Sequence, residues 1–236
     1  MREDFSTEPR KTEHVPVQKV IIYGNQAVAA EAHYILSLSN AHQVVAFTVD
    51  ANLIQEARLH DLPVVPFTEI ERAYPPAEHA ILVAVGYTKN NRIRADRYQL
   101  ALEKGYTPTK AIAPTAIIAS SAEIGANCII GHQSTISPNT RIGNDVIVGN
   151  HCSIGHDSVL ADHCFLSNDV AISGRVTVGE FSYLGTNCTI RNKIRIGTRC
   201  VIGAGALILE NTPDTSVFLG AGATQLPISS DDLQLG

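Results

Sequence analysis

Four histidines that could carry proton chemistry lie in the second half of the chain, at His132, His151, His156 and His163. None of them falls on the aliphatic positions that recur through this half, so each imidazole can reach a surface or a subunit interface. Imidazole gains and loses a proton near neutral pH, which suits it to general acid–base catalysis. Asp157 is one candidate to orient His156. Adjacent residues of a strand point to opposite faces, so an acid from a neighbouring coil or subunit is an equal candidate.

The five cysteines are separated by multiples of six residues. An odd number argues against a disulfide framework, and the absence of a CxxC motif argues against a zinc ribbon. Because their positions in the six-residue frame are otherwise filled by small residues, we predict that the thiols fill a core and take no redox or metal role. The cysteines are Cys128, Cys152, Cys164, Cys188 and Cys200.

A six-residue period runs without interruption from position 112 to position 208. Every sixth residue is aliphatic, and a glycine often follows it. This period is typical of a solenoid of short strands and corners, with the large aliphatic residue pointing inward. The series is Ile112, Ile118, Ile124, Ile130, Ile136, Ile142, Val148, Ile154, Leu160, Leu166, Ile172, Val178, Leu184, Ile190, Ile196, Ile202 and Ile208.

The first half alternates predicted strands with predicted helices. Such alternation indicates a parallel sheet covered on both faces. We predict strands over 19–23, 43–50, 62–66 and 80–85, and helices over 27–39, 68–74 and 90–104. The resulting segments are a polar extension (1–18), a Rossmann-like domain (19–107), a repeat domain (108–210) and a C-terminal tail (211–236).

The first predicted strand ends in Gly24, where dinucleotide-binding folds place a phosphate loop. No GxGxxG motif follows, because no second glycine occurs up to Ala30, and this argues against a nicotinamide cofactor. Asp50 ends the second strand, where it can bind a ribose or a base. A helix N-cap is an equal interpretation of Asp50.

The repeats, such as Ala122-Glu-Ile-Gly125 and Arg141-Ile-Gly-Asn-Asp-Val146, resemble the hexapeptide repeat of left-handed β-helix acyltransferases. An α/β half followed by an uninterrupted prism resembles the sialic-acid O-acetyltransferase-like group, which includes N-acetyltransferases of nucleotide-linked 4-amino-4,6-dideoxy sugars. The resemblance implies an α/β Rossmann-like domain followed by an all-β left-handed parallel β-helix. It also implies a homotrimer that binds acetyl-CoA, the acyl donor, between subunits.

The same resemblance implies roles for individual residues. His156, in Ile154-Gly-His-Asp-Ser158, matches the family's catalytic base, and the predicted catalytic pair is His156 and Asp157. The residues that match donor contacts are Gly174, Asn187, Arg191 and Gly205. The residues that match nucleotide-sugar contacts are Gly24, Asn25, Asp50, Lys89 and Asn90.

Two polar residues of the prism have two open interpretations. Asn168 and Asp169 lie one coil from Asn150 and His151, where they can hydrogen-bond an acceptor sugar or satisfy a corner of the prism. His132 and His163 are expected to be surface residues.

A metal site is not expected. The spacing of His151 and His156 resembles the paired ligands of γ-class carbonic anhydrases, but position 115, where that family's third histidine would lie, is threonine.

Composition and charge argue against some classes of function. A net charge of −5 and a pI near 6.0 argue against nucleic-acid binding, and the longest apolar stretch, around 80–85, is too short for a membrane span. The polar N-terminus lacks the apolar core of a signal peptide, so we expect a cytoplasmic protein. We predict an acetyl-CoA-dependent N-acetyltransferase of a nucleotide-linked amino sugar in surface glycan biosynthesis. The alternatives are an O-acetyltransferase of sialic acid or another sugar, and a non-catalytic nucleotide-sugar-binding or scaffold protein.

Overall fold

The computed structural model of the chain describes residues 17–225 and residue 227. The predicted polar extension falls outside the described residues except for positions 17 and 18. The end of the predicted tail, at 226 and 228–236, also falls outside them. No helix of the described residues is long and apolar enough to cross a membrane.

The apolar strands of the first half form one sheet because their side chains are buried on both faces. The sheet has the order β3-β4-β2-β1-β5-β6, with parallel neighbours except for the antiparallel pair β3–β4. The strands are β1 (Gln18–Tyr23), β2 (His42–Val49), β3 (Arg58–Leu59), β4 (Leu62–Pro66), β5 (Ala80–Val83) and β6 (Thr107–Pro108). The helices are α1 (Ala27–Ser37), α2 (Ile70–Ala73) and α3 (Arg92–Glu103).

The predicted α/β half is confirmed, with three differences. Strands β3 and β6 were not predicted, because two residues are too few to show a period. The second predicted helix begins as a 3₁₀ turn at Phe67–Glu69 and is α-helical only over Ile70–Ala73, where no side chain caps its N-terminus. The domain boundaries themselves stay predictions.

The second half is a left-handed parallel β-helix, as predicted. Each of seventeen two-residue strands ends on one of the seventeen aliphatic positions of the period. The strands are β7 (Ala111–Ile112), β8 (Ile117–Ile118), β9 (Glu123–Ile124), β10 (Ile129–Ile130), β11 (Thr135–Ile136), β12 (Arg141–Ile142), β13 (Ile147–Val148), β14 (Ser153–Ile154), β15 (Val159–Leu160), β16 (Phe165–Leu166), β17 (Ala171–Ile172), β18 (Thr177–Val178), β19 (Tyr183–Leu184), β20 (Thr189–Ile190), β21 (Arg195–Ile196), β22 (Val201–Ile202) and β23 (Leu207–Ile208).

Every third strand stacks on the same face of the prism, so that Ile129 pairs with Ile147 three hexapeptides later. The domain face consists of β7, β10, β13, β16, β19 and β22, and it continues into β24 (Val217–Phe218), a strand within the predicted tail. The flat face consists of β8, β11, β14, β17, β20 and β23. The outer face consists of β9, β12, β15, β18 and β21.

The domain face packs against the α/β half. Its outward residues Ile129, Ile147 and Phe165 are buried and share a hydrophobic cluster with residues of β1, α1 and β5. The two halves therefore form one continuous packed unit through this face.

The corners between faces follow a conformational rule of their own. One residue of each turn adopts the left-handed conformation, every six residues from Asn127 (φ +54°) to Arg199 (φ +57°), and Gly205 (φ +66°) continues the series. Asparagine and aspartate tolerate this conformation better than most residues, and glycine adopts it freely. The series therefore explains why asparagine, aspartate and other polar residues recur at this position of the corners.

The cysteines lie in the core of the prism, as predicted. All five are free and buried in the same cluster as the aliphatic series. Burial raises the pKa of the Cys128, Cys164 and Cys188 thiols to about 12 and that of Cys152 to about 11. These four thiols stay protonated near neutral pH, and thiols are weak nucleophiles.

Candidate active site

His156 and Asp157 occupy a turn between the flat face and the outer face. The Nδ1 atom of His156 lies 2.7 Å from the Oδ2 atom of Asp157. The opposite-face rule for strands does not separate them, because both are turn residues and Asp157 is left-handed, with φ +57°. A carboxylate that accepts the Nδ1 proton leaves Nε2 as the atom able to take up a proton.

The carboxylate of Asp157 has further polar neighbours. The Nδ2 atom of Asn139 donates a hydrogen bond to it at 3.1 Å, and Arg175 Nε lies 3.6 Å away. The hydrogen bond from His156 is the main cause that holds the pKa of Asp157 below its usual range, followed by that from Asn139. Asp157 is therefore ionised at neutral pH and suited to orient the imidazole.

Gly174, one coil later, forms the surface against which the His156 ring lies. A Cβ atom at position 174 would be only 2.6 Å from His156 Nε2 and 2.9 Å from Cδ2 and Cε1. Only glycine leaves room for the ring in this position. The His156 side chain remains 56% exposed, so a substrate can reach it from solvent.

The same corner carries positive charge beyond Gly174. Arg191 donates from Nη1 to the backbone oxygen of Leu209 at 3.2 Å, and an open cleft of about 400 Å³ lies beside it. Arg191 and Lys193 line this cleft, together with Glu210. Of the predicted donor residues, Gly174 and Arg191 thus share a corner with His156, which we call the His156 corner (turns 137–140, 155–158, 173–176 and 191–194).

The remaining predicted prism residues lie on a different corner, between the domain face and the flat face. This Asn168 corner consists of turns 149–152, 167–170, 185–188 and 203–206. Asn168 accepts the backbone N–H of Asn150 at 2.9 Å, and Asp169 lies 3.5 Å from Nδ1 of His151. The residues of the Asn168 corner that the sequence analysis singled out are Asn168, Asp169, Asn187 and Gly205. Within one chain they do not meet His156.

A second candidate site lies at the carboxyl ends of β1, β2 and β5. It is a cavity of about 530 Å³, lined by Gly24, Asn25 and Asp50 among others. Gly24 has φ +136°, and a Cβ atom there would lie 2.5 Å from the backbone oxygen of Ala84, so no larger residue fits. Open parallel sheets bind ligands at this edge.

The two predicted residues Lys89 and Asn90 do not line the cavity. Asn90 instead donates from Nδ2 to the backbone oxygen of Arg199 at 3.3 Å, which directs it toward the prism. Their contact with a bound nucleotide sugar would require the ligand to extend beyond the cavity.

Asp50 is held by two residues that the sequence analysis did not identify. Arg97 Nη2 lies 2.5 Å from Asp50 Oδ2, and the Tyr23 hydroxyl donates to Asp50 Oδ1 at 3.0 Å. Arg97 Nε also donates to the Tyr23 oxygen at 2.9 Å, and burial raises the pKa of Tyr23 to about 12. The Asp50 side chain does not cap the turn that follows it. The position of Tyr23 at the end of β1 was the available sequence signal for this group.

A buried polar network joins the two halves, and sequence analysis missed it. Arg94 is fully buried and donates to Asp145 Oδ1 at 3.1 Å and to the backbone oxygen of Cys164 at 3.0 Å. Asn127 donates to Asp145 Oδ1 at 2.7 Å and bonds both backbone polar groups of Val83. The network fixes how the α/β sheet sits on the prism.

The expectation that His163 and His132 are surface residues is wrong, because the α/β half covers both. His163 Nδ1 lies 2.8 Å from Asp145 Oδ2, and its side chain is only 19% exposed. His132 is half-buried beneath Tyr34 of α1, with a ring separation of 5.6 Å. Neither imidazole is as open to a substrate as that of His156.

No group of three or more potential metal ligands occurs among residues 17–225. His151 and His156 lie on different corners, each beside its own aspartate. These contacts give both imidazoles a partner without a metal.

Two family models match parts of the prism. "Bacterial transferase hexapeptide (six repeats)" matches residues 175–210, and "Hexapeptide repeat of succinyl-transferase" matches residues 122–156. No curated protein matches the chain by sequence. The repeat predicted from the sequence is therefore confirmed as a transferase hexapeptide.

Solved structures match nearly the whole chain. The acetyltransferase domain of PglB from Neisseria gonorrhoeae, also solved in complex with acetyl coenzyme A, is 25% identical, with a TM-score of 0.78, over 89% of this chain and 100% of that one. PerB from Caulobacter crescentus, in complex with CoA and GDP-perosamine, is 24% identical, with a TM-score of 0.79, over 87% and 95%. WeeI from Acinetobacter baumannii is 19% identical, with a TM-score of 0.76, over 86% and 97%. The last two likenesses show the fold.

The uninterrupted hexapeptide prism, the α/β half packed on one of its faces and the match to an acetyltransferase domain over its full length agree with one another. The chain is an acyltransferase with a left-handed β-helix, and its repeats at 122–156 and 175–210 match hexapeptide transferase models.

Proposed function

We propose that this protein is an acetyl-CoA-dependent N-acetyltransferase that acts on a nucleotide-linked amino sugar in cytoplasmic steps of surface glycan biosynthesis. The observation that carries the proposal is the exposed His156 ring, paired with an ionised Asp157 and seated on Gly174. The similar structures support the substrate class, since one contains acetyl coenzyme A and another contains CoA with GDP-perosamine.

His156 acts as the general base in this proposal. Its Nε2 accepts a proton as the sugar amine attacks the thioester carbonyl, forming the new C–N bond. The backbone N–H of Gly174 stabilises the oxyanion of the tetrahedral intermediate, since those of Ser173 and Arg175 already donate to Ile190 and His156. The C–S bond then breaks, and the proton on His156 passes to the departing CoA sulfur. No covalent acyl-enzyme is needed.

The donor site is completed by a second subunit. The flat face separates the His156 corner from the Asn168 corner, and its outward residues are uncharged: Ile117, Thr135, Ser153, Ala171, Thr189 and Leu207. Ile117 and Leu207 are 67% and 61% exposed. When three flat faces surround a threefold axis, each His156 corner adjoins the Asn168 corner of a neighbour. Gly174 and Arg191 of one subunit then meet Asn187 and Gly205 of the next around the donor.

The α/β half, residues 19–107, holds the nucleotide sugar, and residues 108–210 carry out acyl transfer. The cavity beside Gly24 and Asn25 accepts the nucleotide, with Asp50 fixed by Arg97 for hydrogen bonds to hydroxyl or N–H donors. Lys89 and Asn90 contact the part of the substrate that leaves the cavity. Asn168 and Asp169 lie where the acceptor sugar meets the prism.

The test is thiol release from acetyl-CoA with a panel of GDP- and UDP-linked 3-amino and 4-amino sugars, with products identified by mass spectrometry. We expect one amino sugar to gain a single acetyl group on nitrogen. Acetylation of free sialic acid alone would replace the proposal with an O-acetyltransferase, and nucleotide-sugar binding without CoA release would replace it with a scaffold role. Light scattering should give about three times the chain mass of 25.3 kDa.

A further inference from the structure

An aromatic ledge lies at the junction of the two halves, formed by Tyr87, Phe165 and Tyr183. The Tyr87 ring centroid is 4.7 Å from that of Tyr183 and 5.3 Å from that of Phe165. Phe165 and Tyr183 stack at 5.7 Å with an interplanar angle of 26°. Packing of this kind holds the Tyr87 ring in place.

Exposure distinguishes Tyr87 from its two partners. Phe165 is buried and Tyr183 is half-buried, whereas Tyr87 is 55% exposed. A large aromatic side chain that is fixed by packing and still open to solvent offers a ready surface to a ligand. The contact between the two halves covers only part of the Tyr87 ring.

The ledge connects the cavity of the α/β half with the Asn168 corner. At one end Tyr87 itself lines the cavity at the carboxyl ends of β1, β2 and β5. At the other end, Tyr183 precedes the Asn168 corner, where the hydroxyls of Ser167 and Thr186 are 2.9 Å apart. A ligand that extends from the cavity across Tyr87 therefore points toward the Asn168 corner.

We propose that Tyr87 binds the pyranose ring of the nucleotide sugar by stacking against its apolar face. This inference rests on the proposed function and adds a residue that selects for the sugar. Carbon–hydrogen groups of the ring cover the exposed face of Tyr87, while the Ser167 and Thr186 hydroxyls face the polar edge of the sugar. In the trimer this arrangement directs the sugar amine toward His156 of the neighbouring subunit.

The experiment compares Tyr87→Ala with Tyr87→Phe, which keeps the ring. Calorimetric titration of the full chain measures the Kd of GDP and UDP and of the amino sugar that the panel identifies. We expect Tyr87→Ala to weaken nucleotide-sugar binding by about tenfold while the Kd of the free nucleotide changes by less than about twofold. Tyr87→Phe should match the wild type in both.

Three results would overturn the inference. An equal loss of affinity for the free nucleotide would make Tyr87 part of the nucleotide cavity, and unchanged affinity for both ligands would leave it no binding role. Wild-type protein that acetylates no nucleotide sugar would overturn the proposed function together with this inference. An unchanged melting temperature in Tyr87→Ala, expected for a half-exposed side chain, excludes unfolding as the cause of a loss.

Discussion

Two histidine–aspartate pairs of nearly equal geometry lie on different corners of the prism. His156 and Asp157 are 2.7 Å apart, and His163 and Asp145 are 2.8 Å apart. The first pair is exposed, and its ring rests on a glycine. The second is covered by the α/β half, and its carboxylate also bonds a buried arginine. The histidine–aspartate distance alone therefore does not separate a proposed catalytic pair from a structural one. The two pairs differ in how accessible Nε2 is and in what else the carboxylate contacts.

The largest expected effect separates the two histidines by activity. His156→Ala should lower kcat by about 10²–10⁴-fold, because it removes the proposed general base, with little change in melting temperature. His163→Ala should keep most of the activity and lower the melting temperature. Steady-state thiol release and thermal unfolding measure both, with His60→Ala as the control for loss of an exposed histidine that lies in neither candidate site.

Equal loss of activity in His156→Ala and His163→Ala would remove the distinction between the two histidine–aspartate pairs.

The next effect concerns stability. Asp145→Ala should lower the free energy of unfolding by about 3–5 kcal/mol, because Arg94 is left buried without its carboxylate. Asp169→Ala, which removes the half-exposed partner of His151, should change it by less than about 0.5 kcal/mol. Denaturant unfolding of both variants checks this, and similar values would mean that the Asp145 network does not join the halves.

The contact between Gly174 and the His156 ring, the proposed general base, provides a further test. Gly174→Ala should lower kcat by about 10²-fold, because its Cβ would displace the His156 ring by roughly 1 Å. Gly222→Ala serves as a control, since nothing lies within 4 Å of a Cβ at that position. Wild-type kcat in Gly174→Ala would show that the ring position in the structure is not the reactive one.

The smallest effect is that of the orienting carboxylate. Asp157→Asn keeps an acceptor for Nδ1 but loses the charge of an exposed pair, so kcat should fall by less than about tenfold, because exposed ion pairs contribute little. The pKa of Asp157 is lowered in the folded protein from its ordinary value of 3.8. Its contribution to stability is therefore full above about pH 4 and is lost as pH falls through the lowered pKa. Asp157→Asn should therefore reduce the loss of stability at acidic pH, which thermal unfolding from pH 2 to pH 7 measures.

The prism shows how much a local period can predict. Each strand of the series from Ile112 to Ile208 follows from the residue at its end, because the inward position recurs every six residues whatever the rest of the chain does. The buried cysteines follow from the same frame. The corners were less predictable, because Asp169 and Asn187 occupy left-handed turn positions that favour such residues irrespective of function.

The contacts that assemble the sites could not be predicted from the sequence. Arg94 and Asp145 are 51 residues apart, and Arg97 and Asp50 are 47 apart, with no local pattern that pairs them. His163 was assigned to the surface because a repeat considered alone does not reveal that one of its faces is covered. The Asp157 contact depended on a turn geometry that strand alternation does not describe.

The central claim is that the His156 imidazole takes the proton from the acceptor, and chemical rescue tests it most directly. CoA release by His156→Ala is measured at saturating acetyl-CoA and amino sugar, with and without added imidazole. The account predicts a rate at least about 10²-fold below the wild type that rises with imidazole concentration, because removal of the exposed ring leaves room above Gly174. A variant that releases CoA at the wild-type rate without imidazole would contradict the account.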